Sequence, residues 1–221
     1  MRIVIAGGGA IGASIAYFLA RRGAEPIVVE RNEVGGAASG KSGGFLALDW
    51  CRGTVVDRLA RRSFALHAEL ADRLGNPWGH RRLTTYGGWM VENERSRSAN
   101  RRPWLSDGVT ITGELGSPQT TAIVEPRSFT RGLMRAAEAQ GAEQRHGTVV
   151  DLLRPGSGVV LDSGEVIEGD AVVIAMGPWS ILASRWLPLP AVFGYKGHSL
   201  VFETGGAIPA EAIFLEDTLP L

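Results

Sequence analysis

Three glycines near the amino terminus carry the first chemistry in this sequence: Gly7-Gly8-Gly9-Ala10-Ile11-Gly12 has the spacing G-x-G-x-x-G. At that spacing the first glycine permits a tight turn, the second lets backbone approach a pyrophosphate, and the third lets a helix pack closely on a strand. The run Ile3-Val4-Ile5-Ala6 before it reads as a buried parallel strand. A helix starting near Ile11 would aim its free N–H groups and the positive end of its dipole at a diphosphate. Glu30 closes a second apolar strand over 26–30, 18 positions beyond Gly12. A carboxylate there accepts hydrogen bonds from an adenosine ribose and repels a 2′-phosphate, which disfavours NADP and leaves NAD or FAD.

Further along, 35–53 is rich in glycine, serine and alanine with no helical or strand period until Phe45, and reads as a long loop with room for a helical turn. Loops of that length are usually functional. Glycines at 40, 43 and 44 would let backbone amides approach a flat ring. An amide or a cation beside the pyrimidine edge of a flavin stabilises the charge that develops on reduction. Lys41 is a candidate cation, with reaching phosphate or facing solvent as its alternatives, and Lys196 is either a pocket residue or a strand-surface one. His198 is the histidine nearest a predicted site, and Trp50 follows the glycine-rich loop. His67 is expected to pack or cap within its helix, His80 and His146 to lie in loops, and Trp78, Trp89, Trp104 and Trp186 to anchor core or interface.

The elements that must position these residues follow from periodicity. A helix over 11–22, stopped by Gly23, joins the first two strands into a βαβ start. Val55, Leu59, Leu66, Leu70 and Leu74 predict an amphipathic helix over 54–74. Strands are expected over 84–91, 109–112 and 121–124, then a helix opened by Pro126 and ended by Gly141. The runs 148–153, 159–162 and 165–168 read as a meander turned by Pro155-Gly156 and Ser163-Gly164. A buried strand over 171–175 leads into Gly177-Pro178-Trp179-Ser180, a strand-to-helix junction, and 193–203 is expected to close as a strand.

Composition bounds the function from outside. In 221 residues, 23 Lys+Arg balance 23 Asp+Glu, which argues against a nucleic-acid binder driven by bulk charge. Arginine pairs such as Arg61-Arg62, Arg81-Arg82 and Arg101-Arg102 read as solvated faces. A single cysteine, Cys51, excludes an intrachain disulfide and a cysteine-rich metal site and fits a reducing, cytoplasmic compartment. No leader segment is expected ahead of the first strand, no apolar run reaches the ~18 residues of a membrane span, and no metal site is expected.

Four stretches taken in order, 3–12, 28–31, 35–45 and 172–180, resemble the FAD-dependent amine oxidoreductases of the D-amino-acid oxidase superfamily, which includes glycine oxidase and sarcosine oxidase. The stretch Gly44-Phe45-Leu46-Ala47-Leu48-Asp49-Trp50-Cys51 is similar to an uncharacterised oxidoreductase subgroup of that superfamily. The resemblance implies FAD as cofactor. It sets Ala10 and Ile11, with Gly7, Gly9 and Gly12 of the glycine turn, at the pyrophosphate, Glu30 and Arg31 near the adenosine ribose, and Ala38 and Ser39 on the diphosphate; Lys41 and Ser42 of the same loop are also expected to bind the cofactor. Gly43, Gly44 and Phe45 would face the isoalloxazine, Val149 the adenine by its main chain, and Gly177 and Trp179 a second FAD-facing turn. Met176 stands where a small or hydroxylated residue is more usual.

The expected class is α+β: a discontinuous, Rossmann-like α/β FAD-binding domain with an incomplete, mainly antiparallel substrate domain. The expected borders give 1–80 and 126–188 to the FAD-binding domain, and 81–125 and 189–221 to the substrate domain. The resemblance implies oxidation of a C–N bond in an amine or amino acid of D-amino-acid, glycine or sarcosine type, by hydride transfer to flavin N5. An imine would form and hydrolyse, and oxygen or another acceptor would reoxidise the flavin. Positioning does most of this work, so no catalytic side chain is assigned; Lys41, Trp50, Lys196 and His198 are the weak candidates. Family members carry a C-terminal part beyond Leu221 that covers the flavin, so an open sheet edge, or a partner chain or oligomer covering it, is expected. A truncated reading frame, half of a split protein and a short chain binding FAD without turnover stay open. The alternatives are therefore a catalytically incomplete FAD-binding fragment and, more weakly, an NAD-linked dehydrogenase.

Overall fold

Ile3, Val4, Ile5 and Ala6 are all buried, because the strand they form is covered on both faces, as an unbroken apolar run requires. The computed structural model describes residues 1–90, 102–153 and 156–216; Val91, Arg101, Pro155 and Leu221, which the sequence reading uses, lie outside them. The first half runs β1 (Arg2–Ala6), α1 (Ala10–Ala20), β2 (Glu25–Glu30), α2 (Ala38–Lys41), β3 (Phe45–Ala47), α3 (Asp57–Leu74), β4 (Arg81–Arg82), β5 (Thr84–Met90), β6 (Val109–Gly116) and β7 (Thr121–Ile123). It continues through α4 (Pro126–Glu138), β8 (Glu143–His146), β9 (Val149–Leu152), β10 (Gly158–Leu161), β11 (Val166–Glu168), β12 (Ala171–Ile174), a 3₁₀ segment (Gly177–Arg185) and β13 (Glu211–Glu216).

The chain divides into two compact units, one of Met1–Gly43 with Glu125–Val201 and one of Gly44–Val124 with Phe202–Leu221. The sequence reading draws its borders at 80/81, 125/126 and 188/189. In the first unit a parallel sheet has the order β12-β1-β2-β8. Val4, Ile27 and Val29 point to one face, where they form a core with Val159, Leu161 and Ile167 of the antiparallel meander β11-β10-β9. Ile5 points to the other face, beneath Gly12 of α1. The small residues Ala13, Ala16 and Ala20 of α1 are buried, which lets α4 approach with Phe129, Leu133, Met134 and Ala137. Glu125 caps α4, its carboxylate accepting the N–H groups of Arg127 and Ser128, with Pro126 in the first turn. Burial opposes ionisation of Glu125, but those hydrogen bonds and Arg127 prevail and hold its carboxyl below the ordinary range.

The second unit holds α3 and two three-stranded sheets, β13-β5-β6 and β3-β7-β4. Only β13 and β5 run parallel there; the other described pairs are antiparallel. Two of its buried threonines are hydrogen-bonded: Thr85 Oγ1 donates to Thr121 Oγ1 at 3.1 Å, and Thr121 Oγ1 donates to the Leu83 carbonyl at 2.7 Å. Phe45, Trp50 and Phe214 form a triangle of rings with every centroid pair at 4.9 Å. Glu211 of β13 accepts from Arg102 Nε at 3.0 Å, from Tyr86 at 3.3 Å and from Trp104 Nε1 at 2.6 Å.

Three expectations are corrected. The stretch 193–203 is not a strand, and no helix or strand occurs over 186–210; Tyr195 is 100% and Val201 94% exposed. A strand needs a neighbour to take its N–H and C=O groups, and among the described residues none lies beside this stretch. His146 ends strand β8 instead of lying in a loop, because β8 pairs in parallel with the edge of β2. Helix α3 starts at Asp57, since the turns before it hold Thr54 N–H on the Cys51 carbonyl at 3.0 Å. Val55 and Leu59 are exposed, and the buried residues of α3 are Phe64, Leu70 and Ala71.

Candidate functional site

The carboxyl ends of β1, β2 and β12 open on a groove of ≈ 630 Å³ in the first unit, a size typical of small-molecule sites. Its floor is the turn after β1. Gly7 takes φ +110°, a conformation that disfavours any side chain, and a Cβ on it would stand 2.4 Å from the Ala175 carbonyl oxygen. A Cβ on Gly12 would stand 1.9 Å from the Gly7 carbonyl oxygen, so α1 can follow β1 this closely only with glycine there. Gly9 caps α1 without a side chain. The Ala10 N–H donates to Ser39 Oγ at 2.9 Å, which ties the start of α1 to α2.

Glu30 forms one wall. Its Oε2 accepts the Gly8 N–H at 2.8 Å and its Oε1 the Asn32 N–H at 3.0 Å, so the carboxylate is fixed at the lip of the glycine turn. The Gly35 N–H donates to the Gly8 carbonyl at 3.0 Å, pinning the loop after β2 to the same turn. Glu33 holds that loop to α4 by ion pairs to Arg127, at 3.5 Å, and to Arg131. Beyond Glu30 the Gly147 N–H donates to the Glu30 carbonyl at 3.0 Å, which brings Thr148 and Val149 into the groove. The opposite wall is the turn after β12, where Gly177 takes φ +58° and the Trp179 N–H donates to the Met176 carbonyl at 3.1 Å. The Arg31 guanidinium lies 4.1 Å from the ring centroid of Trp179.

Of the residues singled out in the sequence, Gly7, Gly9, Ala10, Ile11, Glu30, Arg31, Ala38, Ser39, Lys41, Val149, Gly177 and Trp179 line this groove. Gly12 lies beneath it, packed on Ile5, while Ser42 and Gly43 do not line it. Gly44, Phe45 and Trp50 belong to the second unit. Lys196 and His198 are exposed on the irregular stretch and do not line the groove. Sequence reasoning missed Asn32, Glu33, Gly147, Thr148 and Leu182 as lining residues. Gly147 and Thr148 follow a strand too polar to be recognised, whereas Asn32 and Glu33 directly continue the Glu30-Arg31 pair and could have been found by adjacency.

The arrangement suits a dinucleotide. Glycines keep the turn free of side chains, α1 begins at the groove with Ala10, and the fixed Glu30 carboxylate stands at its lip, the features on which a dinucleotide site is built. Among the described residues, no group of three His, Cys, Asp or Glu side chains is placed to hold a metal ion, and no helix is long and apolar enough to cross a membrane.

Residues 2–218 match the family model described as FAD dependent oxidoreductase, and the chain belongs to that family. FAD is the family's cofactor. An oxidoreductase of Schizosaccharomyces pombe is 28% identical, over 98% of this chain and 64% of that protein. Glycine oxidase of Geobacillus kaustophilus is 26% identical over 90% of this chain and 60% of that protein. The crystal structure of glycine oxidase from Bacillus cereus superposes with a TM-score of 0.69 at 25% identity, over 83% of this chain and 57% of that one. The chain thus spans less than two thirds of the length of each of these relatives.

Proposed function

We propose that this chain binds FAD in the groove at the carboxyl ends of β1, β2 and β12 and takes part in oxidising a C–N bond of a small amine or amino acid. The observation that carries the reading is the fixed Glu30 carboxylate beside an unobstructed glycine turn, within a family match that covers nearly the whole chain. The glycine oxidase relatives support an amino acid of glycine, sarcosine or D-amino-acid type as substrate. Bound FAD supplies the hydride acceptor, and oxygen or another acceptor removes the electrons afterwards. In this reading the Gly7–Gly9 turn and the start of α1 hold the diphosphate, Ser39 and Lys41 line its course, Glu30 orients the ribose, and Val149 presents main chain to the adenine. No side chain of this chain is assigned as a proton acceptor.

A second reading, a FAD-binding chain that needs a partner or further sequence to turn over, is favoured by the exposed apolar stretch around Phe193, Tyr195 and Val201 and by the fraction of its relatives' length that the chain spans. One experiment separates the two. The purified chain is loaded with FAD and mixed anaerobically with glycine, sarcosine and a panel of D-amino acids while its visible spectrum is recorded. Bleaching of the flavin bands supports turnover by this chain; bands that persist with every amine, and bleach only once a partner chain is added, support the second reading.

A further inference from the structure

The strands flanking β1 send one residue each across it. In the order β12-β1-β2-β8, with the first three strands parallel, Arg31 directly follows β2 and Trp179 lies five positions past β12. Their side chains meet at 4.1 Å, guanidinium against indole. The span therefore crosses the carboxyl end of β1, the strand end that carries Gly7, Gly8 and Gly9. Both residues line the groove, and Trp179 keeps 39% of its surface exposed, so the stack sits at the groove's open side and not in the core. Glu30, next to Arg31, accepts the N–H groups of Gly8 and Asn32.

We infer that the Arg31–Trp179 stack is a strap across the diphosphate stretch of the cofactor groove, which FAD must part to enter and to leave. The inference rests on the FAD reading above. A cation–π contact at a partly exposed site is weak enough to open on demand and directional enough to re-form. Arg31 and Trp179 are positioning residues in this account and take no part in chemistry.

A strap and a simple contact differ in kinetics. A contact made only with bound cofactor slows release alone; a strap slows entry and release together. The test is stopped-flow mixing of FAD with the apo-form of the full chain, following flavin fluorescence, for wild type, Arg31→Met, Trp179→Phe, Trp179→Ala and the double variant Arg31→Met/Trp179→Ala. Association and dissociation should each quicken about two- to fivefold in Arg31→Met and Trp179→Ala. The double variant should gain no more than one of the single ones, because either change undoes the same stack. Trp179→Phe, which keeps an aromatic face, should fall between. Circular dichroism melts matching wild type identify the variants that are folded, and the comparison uses those. Wild type and variants binding FAD at equal rates, or gains that multiply in the double variant, overturn the strap and leave the FAD reading standing. A wild-type chain that takes up no FAD overturns that reading and the strap with it.

Discussion

The Glu30 carboxylate accepts the backbone N–H of Gly8 at 2.8 Å, across 22 positions of sequence, and so joins the end of β2 to the turn that follows β1. The same contact explains why Gly8 is small: a Cβ there would meet the Glu30 side chain at 3.0 Å. One carboxylate thus orders the glycine turn before any ligand arrives.

Replacing Glu30 should therefore weaken FAD in two ways at once. Glu30→Ala removes a charged acceptor from the ribose and leaves the Gly8 N–H without its partner, so Kd for FAD should rise about ten- to hundredfold. Glu30→Gln keeps an acceptor and should lose about tenfold or less. Equilibrium titration by flavin fluorescence, with the thermal midpoint of the apo-forms as control, checks both; affinity unchanged in Glu30→Ala would remove Glu30 from the site.

The His67 imidazole is held down to about 4, first by burial in the second unit and then by the neighbouring charge of His80. Burial also lowers His80, with Arg82 adding and Asp72 opposing. Because the unfolded chain binds a proton at His67 near pH 6.5 and the folded chain does not, the stability from neutral His67 is fully present above about pH 6.5 and is lost as pH falls toward 4. The loss over that window should be about 2–4 kcal/mol. Urea midpoints between pH 7 and 4.5 should fall steeply in wild type and less in His67→Phe; identical slopes would contradict this account of the second unit.

Much of this architecture can be read from the sequence, and the exceptions share a cause. β1, the glycine turn, α1 and β2 announce themselves because an apolar run, a fixed glycine spacing and a helical period coincide over 30 residues. The meander β9-β10-β11 is legible from its valines and turn residues. β8, with the sequence Glu-Gln-Arg-His, carries no strand pattern, since only its backbone is recruited, by β2. β13 pairs with β5 across 127 positions, and the ring triangle joins Phe214 to Phe45 and Trp50; neither is written in local periodicity. For the stretch 193–203 the local apolar pattern misleads, because β-branched and aromatic residues favour a strand only when a neighbouring strand is there to pair with it.

Glu125 anchors the start of α4, the helix that holds the loop after β2 through Arg127 and Arg131. Glu125→Ala should lower stability by about 1 kcal/mol at pH 7, the usual cost of losing a helix cap. Since hydrogen bonds hold its carboxyl below the ordinary range against the effect of burial, the contribution is present above about pH 4.5 and fades as pH falls through the folded value. Thermal unfolding at pH 7 and pH 3.5 checks this: the gap between wild type and Glu125→Ala should narrow at the lower pH.

The central claim, that the glycine turn after β1 seats FAD, is tested most directly by calorimetric titration of the apo-chain with FAD and, separately, with NAD, for wild type and Gly12→Val. The account predicts one FAD per chain for wild type, little or no heat with NAD, and no FAD binding for Gly12→Val, whose side chain would collide with the Gly7 carbonyl oxygen 1.9 Å from the Cβ position. Saturable binding of NAD without FAD, or FAD binding that survives in a folded Gly12→Val chain, would contradict it.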